Sequence, residues 1–174
     1  MASAYGAGAA LGGAVTGLAI WLLSGFVSWV DPRWAAGAVC AAAALTVLRD
    51  LGAVRFALPQ NARLVPFSVV QRRPGAAAFQ FGFEMGTGVR TFVTSSSPYL
   101  LAVCVLLLVD HPLGALIVGA LFGAGRFAMF LLRYSSDAGD EWDRLMAGRA
   151  QTLVRSSALV SAFAAVWLAV GIHG

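Results

Sequence analysis

Residues 76–110 read AAAFQFGFEMGTGVRTFVTSSSPYLLAVCVLLLVD. The segment is mostly apolar, yet it carries Glu84, Arg90, Thr87, Thr91, Thr94 and the consecutive serines Ser95, Ser96 and Ser97. On a helical wheel, Gln80, Glu84, Thr87, Arg90, Thr91, Thr94 and Ser95 fall within an arc of about 140°. Phe81, Met85, Val89 and Phe92 take the opposite face, with Ser96 the exception. A polar stripe within an apolar segment marks a membrane helix with one side toward protein or water and the other toward lipid. As one straight helix, residues 76–109 would measure about 51 Å, against a hydrocarbon core of about 30 Å. Tilt alone does not absorb that difference. The segment is expected to break between Gly86 and Pro98, to begin along the interface, or to fold back as a re-entrant hairpin. Broken backbone at membrane depth is tolerated where protein or water satisfies it, and in transporters such breaks accompany binding sites.

Composition points the same way. Hydrophobic residues form 59% of the chain and charged residues 11%, whereas soluble domains carry about 25% charged residues. Mean hydropathy is +0.79. The expected class is an all-α integral membrane protein, residues 1–174 forming a single polytopic domain of about five transmembrane helices with the broken or re-entrant segment in the middle. A net charge of +4 without a basic run speaks against nucleic-acid binding. Two cysteines, Cys40 and Cys104, give neither a disulfide framework nor a metal-cluster spacing, so no metal or cofactor is expected. No hydrolase triad, phosphate loop or zinc motif points to an enzyme.

Working outward, the first span runs from about Gly6 to Val30. Its Gly8, Gly12, Gly13 and Gly17 form small-xxx-small spacings that admit a second helix backbone, expected within the same chain. Trp21 and Trp29 suit an interface. Asp31-Pro32-Arg33 is a turn, and the second span covers Trp34 to about Val54, with Arg49 and Asp50 marking the exit from the bilayer. The segment from Arg49 to Gly75 holds five arginines, one acid and three prolines, and reads as chain lying on the inner membrane surface.

After the turn Asp110-His111-Pro112, a span from Leu113 to Tyr134 places Gly119, Gly123, Arg126 and Arg133 on one face. DAGDEWD, residues 137–143, lacks the EF-hand calcium pattern and reads as a helix start capped by Asp140. The last span covers Ala150 to Ile172, with Arg155 near enough to its beginning to snorkel. All twelve basic residues are arginine. Placing Arg49–Arg73 and Arg133–Arg155 in the cytoplasm gives five crossings of the plasma membrane, N-terminus inside and C-terminus outside. A re-entrant middle would instead return the C-terminus to the cytoplasm.

In the five-crossing arrangement Glu84 and Arg126 lie at similar depths, about 12 and 10 Å from the inner side. A lone ion in hydrocarbon is costly, so the two are expected to pair, with Arg90 facing the same interior. The candidate intramembrane site is therefore Glu84, Thr87, Arg90, Thr91, Thr94, Ser95 and Arg126. It suits a small-molecule or ion ligand of a transporter-like protein or accessory membrane subunit. The competing reading is a structural assembly subunit whose charges only lock helices together. Expected partners are the lipid bilayer, other membrane subunits or a second copy of the chain.

Phe81-Gly82-Phe83-Glu84-Met85-Gly86, followed by a break and Pro98-Tyr99-Leu100-Leu101, resembles part of the transmembrane thiol-electron carriers of the CcdA/DsbD family. The likeness covers about residues 79–104. It implies a broken helix facing a central polar site. That family carries a reactive cysteine beside the proline, where this chain has Ser97. As a membrane thiol-disulfide carrier, the chain would depend on Cys40 and Cys104, whose expected depths in the second and third spans are similar.

Overall fold

The computed structural model describes residues 2–58, 74–88, 95–135 and 139–171, and these are helical apart from short connections. Helix α1 is Ala2–Ser24, continued by a 3-10 turn at Gly25–Val27. Then come α2 at Pro32–Asp50, α3 at Pro74–Thr87, α4 at Ser97–Leu108, α5 at Pro112–Ser135 and α6 at Gly139–Gly171. Three stretches are long and apolar enough to cross a membrane: Ala2–Val27, Pro112–Arg133 and Arg144–Gly171.

Local chemistry sets the boundaries. Asp31 accepts the backbone N–H of Arg33 at 2.8 Å, and Pro32 begins α2, as its fixed φ and missing donor favour. Gly52 stops that helix at φ +87° while its N–H bonds to the Arg49 carbonyl at 2.9 Å. Gly88, at φ +70°, ends α3 in the same left-handed way. Ser96 precedes α4 as its cap residue, and Pro98 lies in the first turn. His111 Nδ1 accepts the N–H of Leu113 at the head of α5.

The final helix starts at Gly139, one residue from the expected start at Asp140, and continues unbroken through the expected last span to Gly171. One expectation needs correction. The second helix stops at Asp50 rather than Val54, because Gly52 turns the chain. Residues 59–73, which include most of the expected interfacial segment, and residues 136–138 lie outside the described residues.

The helices sort into two compact units with interleaved sequence. The first joins α1 up to Ala19 with α3 and α5. Glycine lets these backbones meet. A methyl at Gly8 would strike the Phe79 carbonyl, and one at Gly12 would strike that of Phe83, both on α3. Gly13 and Gly17 bear in the same way on Gly119 and Ala115 of α5. In return, Gly86 and Gly123 both press on the carbonyl of Ala9, which is fully buried. The expected small-residue face of α1 thus packs within the chain.

The second unit joins the rest of α1, α2, α4 and α6 from Leu145. Val39 and Ala43 of α2, Leu100 and Cys104 of α4, and Ala162, Ala165 and Ala169 of α6 form its core. Its outer surface is also apolar: Phe163 is 71% exposed and Trp167 70%. Large apolar side chains turned outward from a packed helix suit hydrocarbon better than water.

Candidate functional site

The structure distributes the expected site residues over both units. In the first, α3 carries Glu84 and Thr87. Glu84 Oε1 accepts from Gln80 Nε2 at 3.2 Å, one turn earlier. Thr87 Oγ1 donates to the Glu84 carbonyl at 2.8 Å. Thr16 of α1 reaches across with its hydroxyl toward the Gly12 carbonyl at 3.1 Å and the Thr87 carbonyl at 3.3 Å. The last carbonyls of a helix have no partner within it, so these hydroxyls finish α3 where Gly88 stops it.

Arg126 lies on α5 and is half-buried. Its guanidinium sits over the ring of Phe122, 5.8 Å from the centroid. Phe122 also meets the end of α3, because a Cβ built on Gly88 would lie 3.4 Å from the ring. The Tyr5 phenol is an electrostatic neighbour of Arg126. Tyr5 is buried and packs on Phe81, Phe127 and Phe130 with centroid distances of 5.7, 5.6 and 4.6 Å. Among the described residues no ion pair joins Arg126 to Glu84, contrary to the expectation from their depths. Equal depth does not fix the rotation of either helix about its axis. Arg126 instead sits over the Phe122 ring one turn away.

Ser95 belongs to the second unit, where it joins a group centred on Asp50. The Asp50 side chain has no exposed surface. Its Oδ1 accepts from Arg49 Nη1 at 2.8 Å and from Ser96 Oγ at 2.6 Å. Its Oδ2 accepts from the Ser96 backbone N–H at 2.9 Å and from Ser95 Oγ at 2.8 Å. Ser95 also approaches the Ser97 hydroxyl at 2.9 Å and the Ser157 hydroxyl at 3.4 Å. A carboxylate offers about four lone-pair positions, and these bonds fill them. The last residue of α2 therefore caps the start of α4, where N–H groups and the helix dipole favour negative charge.

Sequence reasoning missed Asp50, taking it as an exit marker. The available signal was a single acid among arginines, together with three serines ahead of a proline that required an acceptor. Arg90, Thr91 and Thr94 lie outside the described residues. Cys40 and Cys104 are free thiols, Cys104 buried in the core of the second unit and Cys40 partly exposed. Among the described residues no three His, Cys, Asp or Glu side chains converge as metal ligands. No protein-family model, characterised protein or solved structure matches the chain.

Proposed function

We propose that this chain is a small multi-pass protein of the plasma membrane, transporter-like, whose polar intramembrane site takes an anionic small molecule or ion at Arg126. The observation that carries this reading is Arg126 itself. It sits on a helix long and apolar enough to cross a membrane, its neighbours are the Phe122 ring and the Tyr5 phenol, and no carboxylate pairs with it among the described residues. A permanent cation in such surroundings calls for a compensating anion or for water. The end of α3 adds to the case, since an interrupted helix supplies polar backbone within an apolar layer. Neither α3, at about 21 Å, nor α4, at about 18 Å, spans the hydrocarbon layer by itself.

A thiol placed at the site tests this. With Cys40 and Cys104 replaced by alanine, Thr87→Cys is expected to react with a membrane-impermeant anionic thiosulfonate in intact membranes. Leu121→Cys, at a position 66% exposed on the same helix as Arg126, is expected to stay unreactive against lipid. Adding Arg126→Gln should slow the Thr87→Cys reaction without lowering the amount of protein. A Thr87→Cys thiol as inert as Leu121→Cys would leave a dry helix lock, and the chain a structural assembly subunit.

In this reading the chain makes five crossings, with the N-terminus in the cytoplasm and the C-terminus outside. A phosphatase reporter fused after Gly174, active only outside the cytoplasm, is expected to be active. An inactive fusion at normal protein level means that the middle segment folds back.

A further inference from the structure

Within the second unit, a groove of about 600 Å³ opens beside the end of α2 and is bordered by Arg49, Asp50, Arg55, Phe56, Gln151 and Val154. That volume is in the range of small-ligand sites. We infer that this groove binds a phosphate group, carried by an anionic glycerophospholipid at the membrane interface.

Arg49 is held in place before any ligand arrives. Its Nη1 bonds to Asp50 at 2.8 Å, its Nε donates to the Phe56 carbonyl at 3.4 Å, and its guanidinium lies 5.6 Å from the Phe56 ring centroid. A guanidinium has five N–H donors, so most remain after these bonds, in a planar fork that matches phosphate. Asp50 offsets the charge of Arg49, which keeps its remaining N–H donors, so the net positive charge of the groove comes from Arg55. Arg55, six residues on in the loop after α2, is exposed and makes no ion pair among the described residues. It supplies the second cation, and Gln151 of α6 supplies an amide donor.

The surroundings argue for a lipid source. Leu48, Leu51, Val54 and Phe56, at the end of α2 and in the loop after it, are each between 40% and 44% exposed. Apolar side chains interleaved with arginines at a helix end suit the boundary between headgroups and acyl chains, where basic pockets collect anionic headgroups.

The full-length protein in detergent, titrated with short-chain phosphatidylglycerol or phosphatidylcholine and read by native mass spectrometry, tests the site. Phosphatidylglycerol is expected to bind in preference. Arg55→Gln should weaken it about tenfold, as loss of a charge-assisted hydrogen bond does. Arg33→Gln, at the opposite end of α2, should leave it unchanged. Melting temperature in phosphatidylcholine serves as the folding check, and Arg55, being exposed, should not shift it. Inorganic phosphate is the second probe. If it fails to displace the lipid at millimolar concentration, the headgroup is the ligand. If it displaces the lipid, the groove takes soluble phosphate esters, and the phosphate assignment still stands. Equal affinity for the two lipids, or full affinity in Arg55→Gln, overturns it.

Discussion

Asp50→Ala is expected to lower stability by about 3–5 kcal/mol, the range for removing one partner of a buried charged network. The substitution removes the Asp50 oxygens that accept from Arg49 Nη1, the Ser96 backbone N–H and two serine hydroxyls, at a side chain with no access to solvent. It also removes the negative charge from the start of α4, so the helix loses its cap. Asp50→Asn keeps one acceptor oxygen but turns an amide N–H₂ toward groups that are themselves donors, and should fall between Ala and the parent. Ser96→Ala removes the 2.6 Å bond and leaves the backbone N–H in place, at a cost of about 1–2 kcal/mol. The double variant Asp50→Ala with Ser96→Ala should cost less than the two together, because the second change deletes a donor that the first has already orphaned. Thermal unfolding of the purified protein in detergent, followed by size-exclusion fluorescence, measures each value. Asp50→Ala within about 0.5 kcal/mol of the parent would show that the network contributes no more than an ordinary surface contact.

The same network shows where sequence reading stops. The turn Asp31-Pro32-Arg33, the break after Gly86 and the glycine face of α1 were legible because each is specified by neighbours within a few residues. Asp50 was not, since the serines that it holds are 45 and 46 positions away in sequence. Ser95 was assigned to the Glu84 stripe for a definite reason. A helical wheel carries angular phase from Gln80 to Ser95 only if the helix is continuous, and α3 ends at Thr87 while α4 starts at Ser97. Beyond the break the phase is lost, and Ser95 joins a different set of partners. The Glu84–Arg126 pairing failed on the missing coordinate. Counting residues gives depth along an axis, while contact also requires the right azimuth.

Gly86→Ala and Gly123→Ala should both destabilise the first unit, although glycine to alanine within a helix ordinarily gains about 1 kcal/mol. The added methyl in each case meets the carbonyl oxygen of Ala9. That atom is backbone in the middle of α1, so no rotamer change relieves the contact and one helix must move from another. Overpacking of this kind costs about 1–3 kcal/mol, and more where backbone is the obstacle. Steric cost should therefore exceed the propensity gain. Gly125→Ala is the internal control: it lies on α5 two residues from Gly123, and a Cβ there would meet nothing within 4 Å. It should raise the melting temperature while Gly123→Ala lowers it. Gly86→Leu should abolish stable expression, because a branched side chain enlarges the same collision. The opposite signs at positions 123 and 125 carry the argument, since general helix propensity would move both in one direction and only close approach of α1 to α5 separates them. If both substitutions stabilise, the α1 backbone does not lie against α5, and the packing that positions Arg126 beside Tyr5 fails with it.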